Sequence, residues 1–268
     1  MFSPSEYHAM INCELPSCIC VSPAQERSIL TRHLERMGSA RGELIILEAG
    51  CGNSCQLDLS GVEAHLIGVD SSEHALRIRE QAGDLDRAVI GDLRTVELDE
   101  NTFDVIYNSF VLEHVENAKQ VLENFCRWLK PGGILILRIP DRESAYGFLS
   151  RITPFWVHVL YKRYIFGSRN AGKPGYDPFP TVYDSIVSRQ GIRRWCVTHG
   201  LTIREEVSWN YPIARSGLAS WITGASITAL RVLSLGRLAT DHVNLSYVIE
   251  KAAVDPVRVC QNNGTVHA

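Results

Sequence analysis

Three acidic residues stand at or beside the ends of short apolar runs in the first third of the chain. Glu48 lies in "IILEAGCGNS", Asp70 ends "AHLIGVD" and Asp92 ends "RAVIGD". Carboxylates accept hydrogen bonds from hydroxyl and amino groups and attract cations, but they repel phosphate. The pattern therefore favours a ligand that carries hydroxyls, an amine and an ammonium group.

A Gly-x-Gly turn, Gly50 to Gly52, follows the first apolar run and would let the backbone approach a ligand closely. A dinucleotide site would have a third glycine at position 55, where this chain has Cys55, and Glu48 would repel its phosphates. S-adenosylmethionine (SAM) fits better. Asp70 would accept hydrogen bonds from its ribose hydroxyls and Asp92 from its adenine amine, while Glu48 favours the cationic amino-acid end.

These residues lie on a chain that alternates apolar runs with helical patterns. Five runs read as strands: "ELIILEAG", "AHLIGVD", "RAVIGD", "FDVIYNS" and "ILILRIP". Helical spacing marks "SPAQERSILTRHLERMG", "SSEHALRIREQAG", "EHVENAKQVLENFCRWLK" and, after a break at Pro140, "DSIVSRQGIRRWCVTHG". "LTIREEVSW" and "HVNLSYVIEK" add two strands. The alternation predicts an α/β, Rossmann-like, doubly wound and mostly parallel seven-stranded sheet with helices on both faces. Ligands bind such sheets at the carboxyl ends of the strands.

The chain has 268 residues and a formal net charge of -3, which gives no reason to expect nucleic acid as a partner. Residues 1–43 are expected to form an N-terminal helical segment over the cofactor site, 44–254 the main domain with a lid at 141–183, and 255–268 a flexible tail. The first residues predict no secretory signal, so the eight cysteines are expected as reduced thiols in the cytoplasm.

Five ordered elements, "LEAGCGNS", "GVDSS", "GDL", "FDVIYNSFVLEHV" and "LKPGGILIL", resemble the class I SAM-dependent methyltransferases over about residues 44–139. The resemblance implies methyl transfer from SAM to a small-molecule acceptor. It implies Glu48, Gly50, Gly52 and Asn53 around the methionine part, Asp70 and Ser71 at the ribose, Asp92 and Leu93 at the adenine, and Asn108 and Ser109 beside the sulfonium. Only 17 residues separate Gly52 from Asp70, so the first helix, "SCQLDL", must be short.

His114, in "VLEHV", is the candidate catalytic base because imidazole titrates near neutrality. It could equally cap or pack the next helix. Glu113 is expected to face solvent, and His158 and Tyr161 are further candidates. Methyl transfer needs alignment of the acceptor, and a base only if the acceptor loses a proton. The sequence leaves open whether oxygen, nitrogen or carbon is methylated.

The segment after the fifth strand carries the only clue to the acceptor. Between Ser144 and Tyr176 there are five basic residues, several interleaved aromatics and no acids. Such a lid suits a lipophilic or anionic acceptor or a peripheral membrane contact, and the alternative is a structural lid with solvated basic residues. A nearly uncharged helical stretch at 214–235 could lie at an interface, with Leu218, Trp221, Ile222, Ala225, Ala229 and Leu233 on one face, or pack on the sheet.

Two other kinds of protein fit parts of the pattern. A SAM-binding or regulatory protein without turnover would keep the strand-end acids, whereas a nicotinamide-dependent oxidoreductase is disfavoured by Cys55 and Glu48. Cys13, Cys18 and Cys20 could hold a metal, but no second pair at finger-like spacing accompanies them, so no metal is expected. Apolar neighbours predict packing roles for Cys51, Cys126 and Cys196.

Overall fold

Eight strands form one sheet in the computed structural model, which describes residues 19–164, 167–173, 178–182, 184–210, 218–235 and 238–253. The strands are β1 (Ile19–Val21), β2 (Leu44–Ala49), β3 (Ala64–Asp70), β4 (Arg87–Ile90), β5 (Phe103–Ser109), β6 (Leu129–Pro140), β7 (Leu201–Trp209) and β8 (Asn244–Lys251). The helices are α1 (Pro23–Arg41), α2 (Glu73–Ala82), α3 (Ala118–Trp128), α4 (Ala145–Ile152), α5 (Phe155–Tyr164), α6 (Arg189–Thr198) and α7 (Leu218–Leu233), with a 3₁₀ turn at Leu112–His114.

The strand order is β1-β7-β8-β6-β5-β2-β3-β4. All neighbouring strands are parallel except β8, which runs antiparallel between β6 and β7. The chain builds outward from β2 to β4 and then returns to place β5 on the other side of β2. This reversal creates the crevice at the carboxyl ends of β2 and β5 where open α/β sheets bind ligands. The predicted fold class is confirmed, with eight strands where seven were expected.

The additional strand is β1, whose three residues pair with β7 at the edge of the sheet. A run this short has no period that a sequence pattern could reveal. Helix α1 begins as predicted: Ser22 caps it in a box with Gln25, and Pro23 occupies the first turn. Leu30 and Leu34 of α1 then pack on one face of the sheet, while α3 and α6 pack on the other.

The connection between β2 and β3 contains no helix, so the prediction of a short helix at "SCQLDL" is wrong. Residues 51–63 form turns and coil instead. Leu57, Leu59 and Val62 of this segment pack into the same apolar cluster as α1. Burial of these apolar side chains beside α1 therefore shapes the segment.

The segment after β6 folds into two short helices, α4 and α5, with Pro154 at their junction. Helix α7 covers most of the uncharged stretch predicted at 214–235. Its side chains at 224, 225, 228, 229 and 231–233 are exposed, so packing on the sheet is wrong for this part of the helix. The side chains of Leu218, Trp221 and Ile222 lie outside the description. Among the described residues, no helix is long and apolar enough to cross a membrane.

Candidate functional site

The glycine turn after β2 presents bare backbone at the crevice. Gly50 and Gly52 have φ values of +75° and +56°, a conformation that favours glycine. A Cβ atom on Gly50 would collide with Val111, whereas one on Gly52 would meet no atom within 4 Å. Gly50 is therefore required by close packing, and Gly52 leaves open space against which a ligand can lie. Asn53, the next residue, is exposed.

Asp70, at the end of β3, holds this turn in place. Its Oδ2 accepts a hydrogen bond of 2.8 Å from the backbone N–H of Gly52, and its Oδ1 accepts one of 2.8 Å from Ser72. Each carboxylate oxygen can accept a second bond, so the group can still bind two hydroxyls. Ser72, rather than Ser71, caps α2, which leaves Ser71 exposed beside the carboxylate. The geometry suits a ribose diol.

Asp92 lies two residues beyond the end of β4 and binds its neighbour Arg94. Arg94 Nε is 3.0 Å from both carboxylate oxygens, and Nη2 is 2.6 Å from Oδ2. These hydrogen bonds hold the pKa of Asp92 below its ordinary value. Leu93 is buried and its carbonyl accepts a bond of 2.8 Å from Asn124. An adenine amine at this position would share the Asp92 carboxylate with Arg94.

Asn108 and Ser109 end β5, next to the glycine turn. Asn108 is fully buried, and its Nδ2 donates a hydrogen bond of 2.8 Å to the carbonyl of Ala49. Its Oδ1 has no hydrogen-bond partner among the described residues. An unsatisfied buried acceptor costs free energy and is rare in native proteins, so it marks a place where a ligand donor or a water is needed. Ser109 is half-buried at the same strand end.

Glu48 is buried and forms an ion pair with Arg79. Its Oε2 lies 2.7 Å from Arg79 Nη2, and both side chains are buried. Arg79 also donates to the carbonyl of Cys51 and to Asp84. Burial raises the pKa of Glu48, while Arg79 acts in the opposite direction. The pair braces the glycine turn from beneath, because one guanidinium holds both β2 and the residue between the two glycines.

Glu113 and His114 lie side by side in the 3₁₀ turn after β5. The expectation that Glu113 faces solvent is wrong: its side chain is buried, Oε2 has no partner among the described residues, and burial raises its pKa to about 8. His114 Nδ1 is 2.8 Å from the carbonyl of Pro180, so Nδ1 donates and Nε2 is the acceptor nitrogen. Burial lowers the pKa of His114, which keeps the ring neutral at pH 7.

The two candidates in the insert differ in position. His158 Nε2 lies 3.0 Å from the carbonyl of Ser150 and 2.9 Å from Thr153 Oγ1, contacts that tie α5 to the end of α4. Tyr161 is half-buried in α5. The geometry of His158 is that of a structural residue.

The three cysteines expected to pack in the apolar interior all lie in described parts of the chain. Cys51 and Cys196 are buried and Cys126 is half-buried, in agreement with packing roles. Cys20 is exposed, and Cys13 and Cys18 lie outside the described residues. Within the described part of the chain, no group of three or more His, Cys, Asp or Glu residues could hold a metal ion.

Sequence reasoning missed the polar cluster next to Ser109. Arg138 Nη1 is 3.4 Å from Ser109 Oγ and 3.1 Å from both Tyr107 and Gln56, and its Nε is 3.0 Å from Glu26 of α1. The available signal was an arginine inside the apolar strand "ILILRIP", since charged residues are almost never fully buried unless they are paired.

Comparison with known proteins gives matches to methyltransferases. Residues 47–137 match the model of a family described as a methyltransferase domain. The ubiquinone biosynthesis O-methyltransferase of Maricaulis maris is 32% identical over 120 residues, which cover 42% of this chain and 47% of that protein. The demethylmenaquinone methyltransferase of Shouchella clausii is 34% identical over 116 residues, covering 39% and 49%. The chain spans about half the length of the curated relatives it matches.

Solved structures show the same fold at low sequence identity. A geranyl diphosphate C-methyltransferase from Streptomyces coelicolor, in complex with Mg²⁺, geranyl diphosphate and S-adenosyl-L-homocysteine, has a TM-score of 0.51 and 14% identity, covering 85% of this chain and 80% of that one. A putative sarcosine dimethylglycine methyltransferase from Galdieria sulphuraria has a TM-score of 0.51 and 12% identity, covering 92% and 98%.

Proposed function

We propose that this chain, whose residues 47–137 match a family described as a methyltransferase domain, is a class I SAM-dependent methyltransferase that transfers the methyl group of SAM to a small-molecule acceptor. One observation carries the proposal. Asp70 bonds the N–H of Gly52, and thereby fixes a carboxylate and an open glycine backbone side by side at the strand reversal. A diol-bearing, cationic nucleoside fits this arrangement, and a phosphate next to Asp70 and Asp92 does not.

Different residues would contact different parts of SAM. Asp70 and Ser71 would hold the ribose, and Asp92 and Leu93 the adenine. Gly50, Gly52 and Asn53 would lie along the methionine part, and Asn108 and Ser109 beside the sulfur; Asn108 Oδ1 would gain the partner that it lacks. Glu48 would act from below, because its pairing with Arg79 holds the turn in shape. When bound, SAM supplies a methyl group on a positively charged sulfur, which activates that carbon for displacement.

We propose that His114 accepts a proton from the acceptor. The ring is neutral at pH 7 and Nε2 is its acceptor nitrogen, since Nδ1 donates to Pro180. A neutral imidazole is the form that a general base requires. Alignment of the acceptor with the methyl carbon is the second contribution of the protein, and it needs no titrating group.

An exposed apolar surface on α5 supports a lipophilic acceptor delivered from a membrane interface. In α5, Trp156, Leu160 and Tyr164 recur every four residues and are 63%, 40% and 75% exposed. They therefore form one apolar stripe that no described element covers. The segment that follows α5 carries exposed basic residues at Arg169 and Lys173. Exposed aromatic and basic side chains together suit an anionic lipid surface. Quinone precursors are the acceptors to test first, because two relatives are named for quinone methylation.

Cofactor binding and turnover test the central proposal separately. Calorimetry with SAM, S-adenosylhomocysteine and NADH should give binding of the first two ligands only. Labelled SAM should then transfer its methyl group to a quinone precursor or to a component of a fractionated extract. Binding of SAM without transfer to any fraction would indicate a silent binding protein, and binding of NADH alone would indicate an oxidoreductase; either result contradicts the proposal.

Co-sedimentation with vesicles tests the membrane contact. The protein should pellet with anionic vesicles at low salt and dissociate as salt rises, because each basic residue near the surface contributes about 1 kcal/mol. Trp156→Ser with Tyr164→Ser, or Arg169→Glu with Lys173→Glu, should abolish pelleting. The control is Ile90→Ser, an exposed apolar residue on β4 outside the insert. Arg163 is a poor target because it donates to the carbonyl of Ala171. Wild-type protein that stays in the supernatant would exclude the contact.

A further inference from the structure

Arg138 is a buried cation held in one orientation. It lies near the carboxyl end of β6 and is 6% exposed. Its Cζ is 4.7 Å from the ring centroid of Trp209 and 5.4 Å from that of Phe110, so two aromatic rings pack against the guanidinium. Phe110 has a φ of +56°, which is uncommon for an aromatic residue. Backbone strain of this kind is concentrated at functional sites.

Glu26 of α1 provides the opposite charge. Its Oε1 is 3.0 Å from Arg138 Nε and accepts a hydrogen bond of 2.7 Å from Ser246 Oγ. Both of these contacts use the same carboxylate oxygen. The hydroxyl of Ser246 in turn accepts a bond of 2.8 Å from Trp209 Nε1. Anion and cation are thus fixed side by side by groups from α1, β6, β7 and β8.

The pair lines a cavity of about 390 Å³. The lining includes Glu26, Arg138, Trp209, Cys55 and Gln56, so the cavity extends from α1 to the segment that follows the glycine turn. It also adjoins the position expected for the sulfur of SAM, because Arg138 Nη1 lies 3.4 Å from Ser109 Oγ. A short aliphatic chain joins that sulfur to a carboxylate and an ammonium group.

Glu48 and Arg79 form another buried ion pair near the turn, as Glu26 and Arg138 do, but neither Glu48 nor Arg79 lines this cavity. A zwitterion needs a cation and an anion at once, and Arg138 with Glu26 supplies both at the cavity wall. We propose that Arg138 and Glu26 form the subsite for the amino-acid end of SAM, with Arg138 facing the carboxylate and Glu26 the ammonium. The inference rests on the proposed use of SAM.

The test compares two ligands that differ in this end alone. S-adenosylhomocysteine carries the amino-acid group, whereas 5′-methylthioadenosine has the same nucleoside and sulfur without it. The double variant Arg138→Gln with Glu26→Gln removes both charges together, so that neither is left buried alone. Gln56→Glu changes an exposed side chain and places a carboxylate against Arg138. Both variants should bind S-adenosylhomocysteine roughly 10- to 100-fold more weakly by calorimetry, the scale of a lost charged hydrogen bond. Their affinity for 5′-methylthioadenosine should stay within about twofold of wild type.

The outcomes separate this inference from the proposed function. Asp70→Asn is the matched control, because it should weaken both ligands through the ribose that they share. Wild-type protein that binds neither ligand would overturn the proposed function. Wild-type protein that binds both equally, or variants that lose both ligands to the same degree while still folded, would overturn the subsite. A rise in the acceptor KM alone, with S-adenosylhomocysteine affinity unchanged, would overturn it also and would assign Arg138 to the acceptor.

Discussion

Glu113 should make the stability of the protein fall as the pH rises through the neutral range. Burial raises its pKa to about 8 from an ordinary value of 4.5. Below 4.5 the carboxyl is protonated in both the folded and the unfolded states. Between 4.5 and 8 the unfolded chain loses the proton while the folded protein keeps it, so unfolding becomes progressively more favourable. Above about 8 the penalty is complete.

The size of the effect follows from the same values. Each unit by which the pH exceeds the unfolded-state pKa, up to the folded-state pKa, lowers the free energy of unfolding by about 1.4 kcal/mol. At pH 7 the buried carboxyl therefore lowers the free energy of unfolding by roughly 3 kcal/mol relative to a group that does not titrate. Glu113→Gln has nearly the same shape and no ionisation. The variant should match wild type near pH 4.5 and exceed it by roughly 3 kcal/mol at pH 7.

Urea unfolding at half-unit intervals from pH 4.5 to 8.5 measures this difference directly, because every other titration cancels between the two proteins. The control is Glu116→Gln, an exposed glutamate in the same segment, whose curve should stay parallel to wild type. Parallel curves for Glu113→Gln would show that Glu113 is ionised in the folded protein, and the reasoning from its burial would fail.

Two other changes test the site, and a third tests a buried ion pair outside it. Asp70→Ala should weaken SAM binding by about 1.5–3 kcal/mol, the scale for a lost hydrogen bond to a charged group, and unchanged affinity by calorimetry in a folded variant would rule out the ribose assignment. His114→Ala should lower turnover by about 10²-fold with SAM affinity retained, and a preserved rate would make it a packing residue. Burial acts to lower the pKa of His242, but Asp141 at 2.7 Å and Asp241 at 3.0 Å together raise it above its ordinary value. Its contribution to stability is therefore complete below its unfolded pKa and declines as pH rises through the folded value, and His242→Gln should remove that decline in thermal melts at pH 5 to 9.

The parts of the site that depend only on residues close together in the sequence were predictable. The acid at Asp70 and the turn at Gly50 to Gly52 depend on a strand followed by a few residues, and strand ends can be read from apolar runs. The predicted methyltransferase resemblance and the doubly wound fold are confirmed by the matches to residues 47–137 and to solved structures. The individual cofactor contacts stay predictions.

Contacts between distant segments were not predictable. Glu113 looks like a surface residue at the start of a helix, yet its side chain is buried, and its backbone carbonyl accepts a hydrogen bond from Val182, far along the chain. Arg138 acquires its partners from α1 and β5, which a single run of sequence cannot reveal. The helix expected at "SCQLDL" followed from the family resemblance, whereas segment 51–63 is rich in Gly, Ser, Asn and Asp, which favour turns, and it packs as coil beside α1.

The central position of β8 has a consequence for synthesis on the ribosome. Strand β8 lies between β6 and β7 and is the last of the eight strands to be translated. Until Asn244–Lys251 emerges, β6 and β7 each present an unpaired edge, and unpaired edges are sites of aggregation. Glu26 is translated long before Ser246, so its carboxylate lacks the hydrogen bond from Ser246 until β8 emerges. The nascent chain should therefore need protection until its final strand inserts, and a product that stalls before residue 244 should neither close the sheet nor complete the Arg138 cluster.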